Sequence, residues 1–393
     1  MKNNHNLKKS KLTFTSFTKY RMIIIALIFT IMAVGQSVWG ANRFSIAVGN
    51  WNSTNTWAAT SGGAAGASVP IAGDVVYIQN GKSVTVTEDA AASSITFTGA
   101  AATLTINSGF TLSVSGTVIL LHNVGASTSC LITGGGTLSC ASVDAGSNLS
   151  LNGDFSAIMT STIFSFNISG DVTMIAKESG ANYGQSGFRV EDGTTTVGGQ
   201  ITSSLGVGCV GAFRMNGLTT GLQTGTLVLN GATPWGTLTS ITLTLNGTSA
   251  TVKYNGASSQ AIRYTTYTNL EINSGGTTTL AGSTTVNGVL TMTKGIFSLG
   301  GFTLTYGSTA SLNYNGILSQ TTGAEWPTTF VNNVTITNNS TNGVSLNANK
   351  TYNTGGVLTV NGHLNFSTYY IAGTGAFTLS SGGDYYFCLC YQR

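Results

Sequence analysis

Six of the few charged residues in this chain, Asp171, Lys177, Glu178, Arg189, Glu191 and Asp192, fall within residues 171–192. Breaking a glycosidic bond needs two carboxylates, or a base with cations to steady developing charge. This window is the one place where such a site can assemble, with Tyr183 among Gly180, Gly184 and Gly187. These six are the candidate catalytic residues. The competing reading is a solvated loop whose charges pair with each other. Glu191 and Asp192 are adjacent, so on a strand they point to opposite faces.

Aromatic residues offer a second chemistry, the stacking of sugar rings. Trp235 follows Pro234, Trp326 lies near Phe330, and Tyr254 lies near Tyr264 and Tyr267. Trp235, Trp326 and Tyr254 are the ligand-binding candidates, against the alternative that such rings fill an interior or seal a corner. Cys130 and Cys140 flank Gly134-Gly135-Gly136 symmetrically. A hairpin turning at Gly135 would set them opposite each other and allow a disulfide, on condition that the two flanks pair antiparallel. No Cys pair has zinc-like spacing, so no metal site and no cofactor are expected. There is no phosphate-binding Gly-x-x-x-x-Gly-Lys loop and no Gly-x-Ser-x-Gly elbow.

Residues 1–41 carry Lys2, Lys8, Lys9, Lys11, Lys19 and Arg21, then the apolar run Met22 to Val34, then small residues to Gly40-Ala41. This order is that of a secretory signal peptide, cut after Gly40 or Ala41; the alternative is an uncleaved N-terminal anchor. The run is shorter than the ~20 apolar residues that span a bilayer as a helix. Six of the 16 Lys and Arg lie in this segment and all 12 acids lie beyond it, so the remainder is 10 − 12 = −2. No basic surface is left to follow a nucleic-acid backbone. The expected location is the outer cell surface or the medium, with no membrane span after cleavage.

The elements that must position these residues repeat a two-residue period. Ser83-Val84-Thr85-Val86, Ser94-Ile95-Thr96-Phe97 and Thr103-Leu104-Thr105-Ile106 each alternate hydroxylated and apolar side chains. Such segments are strands with one buried face. They recur along the chain with Gly, Asn or Asp between them, at corners where positive φ costs little. Charged residues are 7% of the chain, far below the ~25% of an ordinary domain, and there are only 3 prolines.

The fold class predicted is all-β: a right-handed parallel β-helix, or solenoid, with rungs of roughly 20 residues. A tandem of β-sandwiches is the alternative. Residues 42–250 form an N-terminal cap, built on Trp51 and Trp57, and a first stretch of solenoid. Residues 251–381 carry a longer repeat, of about 60–75 residues. Within it Tyr254-Asn255-Gly256 returns at Tyr314, Asn269-Leu270 at Asn333, Gly288-Val289 at Gly356, and Phe302-Thr303-Leu304 at Phe377. Residues 382–393 break the pattern and read as a truncated or frameshifted tail.

Gly49-Asn50-Trp51, Thr56-Trp57, Val69-Pro70, Gly73-Asp74-Val75-Val76 and Gly81-Lys82-Ser83-Val84 resemble the G8-like N-terminal unit of exported β-strand-repeat surface proteins of Bacteroidetes. Residues 252–380 resemble the later repeats of such proteins. The resemblance implies general secretion followed by type IX export, and a sorting domain that is not recognisable here. It makes the expected function a structural, adhesin-like scaffold at the cell surface whose partners are polysaccharides or surface glycans. The alternatives are a β-helix lyase or glycosidase acting through residues 171–192, and a carbohydrate-binding module.

Overall fold

A computed structural model of the chain describes residues 40–99, 101–121, 130–146, 158–159, 164–176, 185–190, 192–215, 224–380 and 383–386. Those from Ala41 onward belong to one structural unit.

Alternation turns into strands, and strands into rungs. Val75–Ile78, Ser83–Val86 and Ala90–Ala92 form one turn of the coil, each lying on a different sheet. Ser94–Thr98, Thr103–Ile106 and Thr111–Val114 form the next and pair with the first in parallel. The first two sheets have 8 strands each in the N-terminal part, and the third has 14 and runs on through the C-terminal part. Except where Asn42–Ser45 meets Trp57–Ala58, every described strand pairing is parallel. The protein is therefore a parallel β-helix; tandem sandwiches would need antiparallel partners throughout.

The buried face is a set of columns. On the first sheet Val76, Ile95, Val118, Val143, Val172 and Ile201 are register partners in turn, all fully buried. On the third sheet the column runs Leu227, Val252, Leu270, Leu290, Leu312, Val334 and Leu358. Stacking like on like at the ~4.8 Å strand spacing buries each methyl group against the rungs above and below. Val84, Ile95, Leu104 and Ile272 all face this interior.

Rung length varies. Val252 reaches its register partner Leu270 by a short turn of the coil, whereas Thr195 reaches Leu227 by a much longer one. The return of the Tyr254 motif at Tyr314 spans three rungs, through Ile272 and Met292. The Asn269 and Val289 motifs likewise return three rungs on. Phe302 and Phe377 do not correspond in this way. Leu304–Tyr306 belongs to a three-stranded sheet, and Ala376–Leu379 to the third sheet.

The N-terminal end is closed by aromatic packing. Trp51 and Trp57 are buried, their rings 5.3 Å apart and nearly perpendicular, and the Trp57 indole donates to the Trp51 carbonyl at 2.7 Å. The antiparallel strand Trp57–Ala58 covers the edge that Asn42–Ser45 would otherwise present.

The expected disulfide is not formed: Cys130 and Cys140 are both buried and carry thiols. Leu131–Gly134 lies on the second sheet and Thr137–Cys140 on the third, so the glycines turn a corner between faces and make no hairpin. Gly134 has φ +114, and a Cβ there would collide with the Ile106 carbonyl of the rung beneath. Burial pushes both thiols up to about 12, the chemistry of small core residues.

Candidate functional site

The aspartates show how this chain uses its charge. Asp171 directly precedes Val172–Ala176, and its Oδ1 accepts the backbone N–H of Gln200 at 2.7 Å. Gln200 precedes Ile201, the register partner of Val172, so the bond joins equivalent positions one rung apart. Asp192 does the same for Thr224, at 3.0 Å to the amide and 2.9 Å to the hydroxyl. Asp89 holds the Thr111 amide at 2.8 Å, and Asp74 holds that of Ala41 at 2.7 Å. Asp74 also accepts from the Ile71 amide, at 3.1 Å, and lies 3.5 Å from the Arg43 guanidinium. In the C-terminal part asparagine takes over this bond. Asn269 accepts from Val289 and Asn333 from Val357, both at 2.9 Å.

This arrangement separates the described members of the catalytic candidate set. Asp171 stands at the start of a first-sheet strand and Asp192 shortly before a third-sheet strand. Arg189 is buried within Gln185–Val190 on the second sheet, in register with Arg214. The three occupy three faces. Lys177, Glu178 and Glu191 lie outside the described residues.

The aromatic candidates are interior groups. Tyr254 is fully buried, and Trp235 is half-buried with its indole donating to the Tyr254 hydroxyl at 2.7 Å. That hydroxyl also accepts the Arg263 amide at 2.9 Å and lies 3.1 Å from the Tyr267 hydroxyl, which donates to the Arg263 carbonyl at 2.7 Å. Burial pushes Tyr254 up to about 12. Trp235 closes an interior aromatic column through Phe213, Phe188 and Phe166. Tyr254 thus has no ring face for a sugar, and Trp326, 1% exposed, has no more. The corrected role is core packing, with the Tyr254 and Trp235 polar tips satisfied by neighbouring side chains and backbone.

Around Trp326 lies a charged group that the sequence reading missed. Glu325 and Lys350 are both buried. Glu325 Oε1 accepts from the Tyr314 hydroxyl at 2.6 Å and the Gly323 amide at 2.7 Å, and its carbonyl accepts from the Tyr306 hydroxyl at 2.6 Å. Its Oε2 has no hydrogen-bond partner. Desolvation raises the carboxyl, opposed by the Tyr314 and Gly323 bonds and by Lys350. Desolvation also lowers Lys350, opposed by Glu325. Lys350 begins the strand Lys350–Tyr352, whose alternation sends residues 350 and 352 inward, so the period-two pattern held the signal. The usual preference of lysine for water hid it.

Two of the surface hollows among the described residues combine room for a ligand with polar side chains in their lining. A shallow groove of about 660 Å³ follows the solenoid axis along the third sheet. Its floor includes the outward column Ala91, Ser113, Ser139, Asn167 and Thr196, successive register partners, and no charged side chain lines it. A hollow of about 460 Å³ opens where the Phe302, Trp326 and Asn347 corners meet. No three His, Cys, Asp or Glu side chains are grouped for metal binding among the described residues. No family model, curated protein or solved structure matches this chain.

Proposed function

We propose that this protein is a secreted or cell-surface scaffold, adhesin-like, whose β-helix holds extended glycans along its flank without performing chemistry on them. The observation that carries the reading is the third sheet. Its strands stack in parallel past every corner insertion, and its outward column supplies hydroxyls and an amide at one-rung intervals in an uncharged groove. Hydroxyl and amide groups at a regular ~4.8 Å step suit a chain polymer of sugars lying along the axis.

Export is supported by the basic, apolar and small-residue order of residues 1–41, and by the likeness of residues 49–86 to exported Bacteroidetes surface proteins. The acids support a structural role, because those at 74, 89, 171 and 192 are occupied in binding backbone amides.

Two measurements test this. Expressed with residues 1–41 intact, the protein should be recovered outside the cytoplasm, starting near Asn42. Cytosolic recovery starting at Met1 would overturn the location. The purified protein should be retained on insoluble neutral polysaccharide, and Asn167→Arg, which sets a guanidinium in the groove, should release it. Equal retention of the variant would remove the groove from the account.

A further inference from the structure

The hollow at the Phe302, Trp326 and Asn347 corners differs from the groove in one respect: it has a cation in its wall. Lys350 is 2% exposed, in a strand position that the next rung fills with Ile371. Its Nζ donates to the Trp326 carbonyl at 2.5 Å and to Asn347 Oδ1 at 3.1 Å, and it stands 5.7 Å from the Trp326 ring centre. An ammonium has three protons, and these two bonds use two of them. Trp326 also lines this wall, and its indole N–H is buried without an acceptor. Glu325 does not line the hollow, and neither does any other carboxylate among the described residues.

The lining therefore has donors to spare and no carboxylate acceptor of its own. Thr303, Thr328 and Asn347 add hydroxyl and amide groups beside them. Phe302, 44% exposed beyond the Gly300-Gly301 turn, supplies an aromatic face. Donors around a cation call for an anionic oxygen, hydroxyls and an amide call for other hydroxyls, and an exposed ring calls for the C–H face of a pyranose. The volume lies within the range of small-ligand sites.

The geometry points to a binding site for a sugar that carries a carboxylate, a uronic acid unit of an acidic polysaccharide. The carboxylate bonds the third Lys350 proton and the Trp326 indole N–H, while the ring lies on Phe302. The inference rests on the glycan-holding reading above and names the sugar class that this second site selects.

Calorimetric titration of the folded protein with tetragalacturonate and with cellotetraose, at neutral pH, tests it. Tetragalacturonate should bind, Phe302→Ala should weaken it about tenfold with the unfolding midpoint unchanged, and Lys350→Met should abolish it. Phe302 is a surface side chain, so its variant remains informative if Lys350→Met fails to fold. Absence of tetragalacturonate binding, equal binding of both sugars at this site, or indifference to Phe302→Ala would each overturn the site. Retention on neutral polysaccharide, lost in Asn167→Arg, is a separate readout that would leave the scaffold reading standing.

Discussion

Asp171 Oδ1 accepts the backbone N–H of Gln200 at 2.7 Å, and the two residues hold the same position on adjacent rungs. The bond extends the parallel ladder by one residue beyond the strand, where a corner would otherwise leave that amide to water. Asp89 with Thr111 and Asn333 with Val357 repeat it on the third sheet.

If the oxygen acceptor is what matters here, and not the charge, Asp171→Asn should stay within a few tenths of a kcal/mol of the parent. Asp171→Ala should lose about 1 kcal/mol. Urea unfolding of the two variants makes the comparison. An asparagine as damaging as alanine would assign the residue to an electrostatic role instead.

The column at Ile272 and its outward neighbour Glu271 give a matched pair. Ile272→Asp would put a carboxylate among Tyr254 and Met292, its register partners, and should cost about 3–5 kcal/mol. Glu271 pairs with Lys253 at 2.8 Å and accepts from the Thr293 hydroxyl at 3.0 Å, both near the surface. Glu271→Gln keeps an acceptor for Thr293 and should cost less than about 1 kcal/mol. Similar denaturation midpoints for both variants would contradict the inward face.

The Tyr254 hydroxyl serves the Trp235 indole and the Arg263 amide. Tyr254→Phe leaves both donors without that acceptor and should destabilise by about 2–3 kcal/mol while leaving glycan retention intact. Thermal unfolding beside a binding assay separates these effects. Lost retention at unchanged stability would return this tyrosine to the surface.

Glu325 should make stability depend on pH with a definite sign. Its folded-state pKa is raised by burial, so both folded and unfolded chains are protonated below the ordinary carboxylate range and the site then costs nothing. As pH rises through the ordinary range toward the raised value, the unfolded chain ionises more readily and the fold loses stability. The difference between the parent and Glu325→Gln should therefore turn against the parent from acid toward neutral pH. Lys350, lowered by burial, pulls the other way between its lowered value and the ordinary lysine value, and Glu325→Gln removes the charge that opposes that lowering. Urea midpoints for the pair at several pH values give the answer, and a constant difference would mean that the carboxyl is not desolvated in solution.

Alternation determined the all-β class and the buried face of each strand, and left the parallel helix and tandem sandwiches both open. Hydroxyl-apolar-hydroxyl segments have one dry face in any strand, so Val84, Ile95, Leu104 and Ile272 had to point inward, while scarce proline, Thr/Asn/Gly enrichment and a repeat too short for a sandwich favoured a continuous stack. The Trp51–Trp57 cap was legible for a similar reason, since two large rings next to a repetitive column find their lowest free energy over its open end. What period two does not carry is the match between rungs. Corners differ in length from one turn of the coil to the next, short before Leu270 and long before Leu227, so which side chain stands above which is settled only when the chain closes. That is why Asp171 and Asp192 looked like a cluster in sequence yet lie on separate faces, and why Cys130 and Cys140 straddle a corner. It is also why Lys350 is tolerated inside: the carbonyl that receives its proton belongs to Trp326, on an earlier turn of the coil, and reaches it only through the stacking of rungs.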